Sequence, residues 1–174
     1  FDAAARDQGR TLAHIGLGGC LPLLGVDVAN GNYAAGVCEA LAAREFDYVK
    51  RQRIKKVVLV ARWTLYTGDD YSERTMSKYF LTSRADPQKS RETSRRVFSQ
   101  ALEDTIEAYR SIGAEVFIVA QVPQQMINPE SLYYRLARDA SEDDAQALQR
   151  VSELSVPVEK HDLLQRFTRQ LFLR

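Results

Sequence analysis

Two groups of residues invite a chemical reading before any fold is assumed: the tandem Arg62-Trp63, closing an apolar run, and the glycines Gly16, Gly18 and Gly19, closing another. A guanidinium at a strand tip can donate to an oxyanion or a sugar hydroxyl, and an indole can stack on a sugar ring. Plainer roles stand beside these: Trp63 as core filler, and Arg62 paired with an acidic loop residue. A dinucleotide loop needs a third glycine at position 21 opening a helix. Leu21 stands there and Pro22 follows, so the glycines read as a turn whose backbone N–H groups can serve an oxyanion. His14 lies in an apolar stretch and reads as a core histidine. His161, between Lys160 and Asp162, reads as a solvated one. A Ser-His-Asp triad needs an activated serine and an oriented base. No serine sits in a GxSxG elbow, and Gly68-Asp69-Asp70 lacks the serine of Gly-Asp-Ser. No complete catalytic set is visible. Gln121, Val122 and Pro123 close a further strand and are expected at the same crevice as Arg62. Tyr66, Tyr71, Tyr79 and Phe80 offer either substrate contact or loop packing.

These residues need elements to hold them. Lys56 to Trp63 (KVVLVARW) is the clearest strand, and Thr11 to Leu17 (TLAHIGL), bounded by glycines, suits a strand buried on both faces. Glu115 to Val122 (EVFIVAQV) is the third. A helix is predicted over Ala34 to Arg53, and a second over Thr93 to Ile112 with Val97, Ala101, Ile106 and Tyr109 on one face, stopped by Gly113. Phe1 to Gly9 reads as a helix end. Asn128-Pro129-Glu130 combines a cap, a first-turn proline and a first-turn acid. Ser141 to Asp144 opens another helix, and Pro157 precedes a last one with Leu163, Leu164, Phe167 and Leu171 inward. Thr64 to Lys89 is a long polar and aromatic excursion, usually a functional loop or lid. Strand, helix, strand, helix, strand implies an α/β fold with a parallel sheet.

The 174 residues fit one domain with a sizeable core, and no linker or repeat suggests a second. Lys plus Arg number 24 against 23 Asp plus Glu, a net charge of +1, so no basic face argues for nucleic acid. No apolar run reaches the roughly 20 residues that span a bilayer. Cys20 and Cys38 form no CxxC, and two histidines assemble no zinc set; neither a metal nor a cofactor is expected. Two buried thiols or one disulfide both fit this composition. The chain opens Phe1-Asp2-Ala3-Ala4 and stops on an amphipathic helix where a strand would follow, so a segment trimmed at both ends is expected.

Gly19-Cys20-Leu21-Pro22-Leu23-Leu24-Gly25, then Cys38, then Val57-Val58-Leu59-Val60-Ala61-Arg62-Trp63-Thr64-Leu65-Tyr66, then a helix, Gly113 and a strand ending in Gln121-Val122-Pro123, resembles the SGNH (GDSL-like) esterase domain fused to acyltransferase family 3 membrane proteins. The resemblance runs from about residue 10 to 125. It implies a three-layer α/β/α sandwich of flavodoxin-like type, a Cys20–Cys38 disulfide and a periplasmic or extracellular location tethered to a membrane. It also implies transfer of acetyl groups to hydroxyls of O-antigen or another surface polysaccharide by a Ser-His-Asp mechanism, the fused membrane portion delivering the acetyl. In such domains a Gly-Asp-Ser-His block and an Asp-x-x-His block supply the triad. Neither occurs here, so the triad is expected outside the chain and the 174 residues alone are expected to be inactive. Gly19 matches the second-block glycine, an oxyanion donor, whereas the third-block asparagine has no counterpart at Ala61-Arg62-Trp63. Arg62 is a candidate replacement and Trp63 a candidate substrate contact. Two rivals remain at this stage: a non-catalytic glycan-binding domain on the same scaffold, and a cytosolic flavodoxin-like nucleotide or response domain.

Overall fold

A β-branched run such as Val57-Val58-Leu59-Val60 favours extended backbone, and in the computed structural model it forms a central strand, β2 (Lys56–Val60). The structure describes residues 2–29, 31–68, 79–139 and 143–173. Before β2 come α1 (Asp2–Asp7), β1 (Asp27–Ala29) and α2 (Val37–Gln52). After it come α3 (Thr64–Thr67), β3 (Phe80–Thr82), α4 (Arg91–Ser111), β4 (Glu115–Val119), α5 (Pro129–Asp139), α6 (Asp144–Leu154) and α7 (Val158–Phe172). β2 and β4 pair in parallel from Lys56↔Glu115 to Val60↔Val119. β1 and β3 make a separate antiparallel pair, Asp27↔Thr82 to Ala29↔Phe80. The fold is therefore α/β with a parallel sheet, as the alternation of elements predicts.

α4 is the helix on which the sheet packs. Ser90 caps it, its Oγ accepting from Thr93 N at 3.1 Å, which satisfies one of the orphan first-turn donors. Val97, Phe98, Ala101, Leu102, Thr105 and Tyr109 form its buried face. Gly113, at φ 77°, turns the chain into β4 through a left-handed conformation that disfavours other residues. α2 lies beside α4, with Phe46 edge-on to Tyr109 at 5.3 Å. Val57, Leu59, Val116 and Ile118 of the sheet join this core. Val58, Val60 and Phe117, on the alternate positions, are exposed. Among the described residues, then, one face of the parallel pair carries the core. α5 and α6 pack on each other, each start held by a side chain: Asn128 Oδ1 accepts from Ser131 N at 3.0 Å, and Asp143 forms a capping box with Gln146.

Three expectations are corrected. Thr11 to Leu17 is not a strand buried on both faces; it is irregular and exposed, Leu12, Ile15 and Leu17 being 42%, 46% and 37% accessible. A strand is held by neighbours on its edges, and among the described residues β2 pairs only with β4. His14 is consequently exposed and not a core histidine. On α7, Leu163 points outward at 56% accessible, while Gln165 and Thr168 are buried. The excursion from Thr64 to Lys89 holds α3 and β3; its residues 69–78, Tyr71 included, lie outside the described residues. No helix among the described residues is long and apolar enough to cross a membrane.

One charge pair makes a pH prediction. Arg96 grips Asp86 through Nε (3.1 Å) and a terminal nitrogen (2.7 Å), and this donation holds the Asp86 carboxyl below its ordinary value of 3.8. A depressed carboxylate stabilises the fold above its unfolded pKa, and that contribution is lost as pH falls through the folded one. Asp86→Asn should therefore lower stability slightly at neutral pH and converge on wild type as pH falls below about 4, as urea midpoints at several pH values will show.

Candidate functional site

The strands β2 and β4 run parallel, so their C-terminal ends open at one edge of the sheet, where α/β folds bind ligands. The chain leaving β2 supplies Arg62, Trp63 and the short helix α3; the chain leaving β4 supplies Gln121 and Gln124. Side chains stitch the two ends together. Gln121 Oε1 accepts from Thr64 N at 2.9 Å and from Thr64 Oγ1 at 3.1 Å. Arg62 Nε donates to Gln124 Oε1 at 2.8 Å. From α7, the buried Gln165 donates Nε2 to the Gln121 carbonyl at 2.8 Å and stands 3.0 Å from His161 Nε2. His161 is thus half-buried against a helix neighbour, not the fully solvated residue expected from Lys160 and Asp162.

Of the roles open to Trp63, the structure fills the core one. Its ring is 0% accessible, edge-on to Phe98 at 6.0 Å and to Phe172 at 5.4 Å, and its indole N–H donates to Val119 O at 2.8 Å. No face is left for a sugar. Arg62 is exposed, and its Nε donates to the side-chain amide oxygen of Gln124.

Gly19 occupies the turn after the exposed segment, at φ 94°. The next residue, Cys20, is bonded to Cys38 at the start of α2 (S–S 2.01 Å), so the disulfide is formed and the alternative of two thiols is not. A row of side chains links this turn to the β2 exit. A Cβ on Gly19 would stand 3.5 Å from Asn32 Nδ2. Tyr79 Oη donates to Asn32 Oδ1 at 3.5 Å, and the Tyr79 ring lies edge-on to Tyr66 at 6.3 Å. Burial pushes the Tyr66 phenol far above its ordinary value; Tyr79 adds to this and the charge of Arg62 partly offsets it. Gly19, Asn32, Tyr79 and the buried Tyr66 therefore form one row of contacts, a wall that ends at α3. Beneath the turn, His14, Leu17, Cys20, Leu41, Glu45 and Val60 share a cavity of about 110 Å³, and burial raises the Glu45 carboxyl above its ordinary range.

The wall offers hydrogen-bond donors and aromatic edges to a ligand. No group of acidic, histidine or cysteine side chains among the described residues is arranged to hold a metal ion. Sequence reading singles out Gly19 and Arg62 through their places at chain turns. It does not point to Asn32, whose Gly-Asn-Tyr setting signals only a turn, or to Gln165, a polar residue in an amphipathic helix, both of which join these contacts.

A family model described as SGNH domain (fused to AT3 domains) matches residues 1–174. No curated protein and no solved structure matches the chain.

Proposed function

Because the chain belongs to the family of SGNH domains fused to AT3 domains, an acyltransferase or esterase type of domain, we propose that it forms the scaffold and acceptor-side crevice of a serine-dependent O-acetyltransferase or esterase. The acceptor is a hydroxyl of a cell-surface polysaccharide, O-antigen or similar. The fused membrane portion delivers the acetyl group, and the domain works on the periplasmic or extracellular face. The Ser-His-Asp triad is supplied from outside these 174 residues. The single observation that carries this reading is the wall running from Gly19 through Asn32 and Tyr79 to α3, the helix that follows the C-terminal end of β2. A tetrahedral acyl intermediate needs donors fixed before the reaction begins. The cross-bonds from Gln121, Gln124 and Gln165 support such fixity.

The reading extends to the fold. Parallel sheets are ordinarily covered on both faces, and Val58, Val60 and Phe117 are apolar and exposed. In the complete domain a second helical layer covers them, giving the three-layer sandwich.

The full-length protein should hydrolyse a chromogenic acetyl ester and acetylate a polysaccharide acceptor, whereas the 174-residue chain should give no turnover above background. A serine-dependent burst from the chain alone would refute the placement of the triad. Glycan binding by a full-length protein that never turns over would favour the non-catalytic domain instead.

A further inference from the structure

We infer that the N-terminal edge of the sheet is a docking surface for an anionic phospholipid bilayer, made by Lys50, Arg51, Arg53, Lys55 and Arg110. The inference rests on the membrane tether of the proposed function and sets that bilayer against a stated face of the domain. The net charge of +1 hides a strong polarity. Lys50-Arg51-Gln52-Arg53-Ile54-Lys55-Lys56 holds five cations and no acid, leaving nineteen basic residues against 23 acidic ones elsewhere. The stretch ends α2 and enters β2, and Lys50, Arg51, Arg53 and Lys55 are all exposed. A Cβ on Gly113 would stand 3.7 Å from Lys55 Nζ, and the Gly113 N–H donates to Arg110 O at 2.9 Å. The end of α4 therefore adds the exposed Arg110 to the same pole.

Helix C-termini favour cations through their dipole, which accounts for Lys50, Arg51 and Arg110 in the last turns of α2 and α4. It does not account for Arg53 and Lys55. Arg53 stands at φ 52°, in the left-handed region where a helix commonly ends on glycine, so an arginine there goes against backbone preference. Among the described residues none of the five makes an ion pair, and the neighbouring Glu115 is taken up by Lys56 at 3.7 Å. Exposed, unpaired cations suit a diffuse plane of negative charge, the surface of an anionic leaflet. A sugar subsite would ask for a stacking ring and fixed donors, and the stretch 50–56 contains no aromatic residue. β2 runs from this pole at Lys56 to the crevice end at Val60, rising about 3.3 Å per residue. A bilayer at the pole therefore leaves the crevice facing the polymer acceptor.

The test measures, by sedimentation, how the 174-residue chain partitions onto vesicles of phosphatidylcholine alone and of an equal mixture with phosphatidylglycerol. Binding should require the anionic lipid and fade as added salt shortens the screening length. Each basic side chain at such a surface contributes about fivefold in partition, so Lys50→Gln/Arg51→Gln/Arg53→Gln/Lys55→Gln should bind at least about 100-fold more weakly. Arg135→Gln/Arg138→Gln/Arg150→Gln/Arg166→Gln makes the same change of net charge on exposed positions of α5, α6 and α7. It should bind within about threefold of wild type, because charges away from the contact are screened. Arg53→Gly removes one cation and relieves the left-handed backbone, so it should melt no lower than wild type and bind about fivefold less. A wild-type chain that binds neither vesicle, or both equally, would overturn the inference, as would equal losses in the two quadruple variants. Retention on dextran sulfate without affinity for the anionic vesicles would overturn it in favour of docking to an anionic polymer. None of these readouts depends on turnover, so a full-length protein that never hydrolyses an acetyl ester would sink the acetyl-transfer reading alone.

Discussion

Trp63→Ala should destabilise the chain by about 3–5 kcal/mol, the range for emptying a buried aromatic site. A domain of this kind holds only about 5–15 kcal/mol in all, so the loss is a large share of its stability. The site cannot collapse to fill the void, because four elements meet on the ring. It opens α3, touches Phe98 of α4 and Phe172 of α7, and donates to the Val119 carbonyl at the end of β4. Trp63→Phe separates the contributions: most of the ring is retained, but the Val119 carbonyl loses the indole donor, at a cost of about 1–3 kcal/mol. Trp63 is the one tryptophan of the sequence, so urea unfolding should be followed by circular dichroism and not by fluorescence. Equal midpoints for Trp63→Ala and wild type would show that the ring does not join the strand ends to α7.

The second large effect is the disulfide. Opening a cross-link between residues 18 positions apart releases loop entropy in the unfolded chain worth about 3 kcal/mol. For a chain of this size that corresponds to a fall of about 6–12 °C in melting temperature. Reductant and the double variant Cys20→Ser/Cys38→Ser should give the same shift, measured by thermal denaturation. The consequence also reaches the site. Cys20 follows Gly19, so the bond to α2 holds the turn against which Asn32 lies. Amide exchange of residues 17–22 should quicken in the reduced chain more than exchange in β4. A melting temperature unchanged by reductant would show that the cross-link does not constrain the unfolded chain as described.

The legibility of this sequence follows its physics. β2 and β4 were readable because an unbroken β-branched run needs no knowledge of its partner, and α4 because 21 residues carry a repeating face and a cap. β1 and β3, at three residues each, are too short to show any period. Thr11 to Leu17 has the composition of a buried strand, but burial depends on neighbours that composition does not contain. Arg62 could be placed because a strand's exit is a position in sequence; its bond to Gln124 could not, since the two lie 62 residues apart. α7 shows the same limit in one helix. Its apolar spacing places Phe167 and Leu171 on the core, as found, but Leu163 is exposed, and the polar Gln165 and Thr168 are buried beside them. Asn32 reaches Gly19 through the loop following β1, and a loop residue carries no periodic signal at all.

On the proposed reading the nucleophilic serine lies outside residues 1–174, which supply the scaffold and the acceptor-side crevice. Treating the full-length protein with a fluorophosphonate, and locating the adduct by peptide mass spectrometry, tests that division. One serine outside residues 1–174 should be labelled, and the 174-residue chain alone should take up no label. A stoichiometric adduct on a serine within residues 1–174, or a full-length protein that transfers acetyl groups yet resists the reagent, would contradict it.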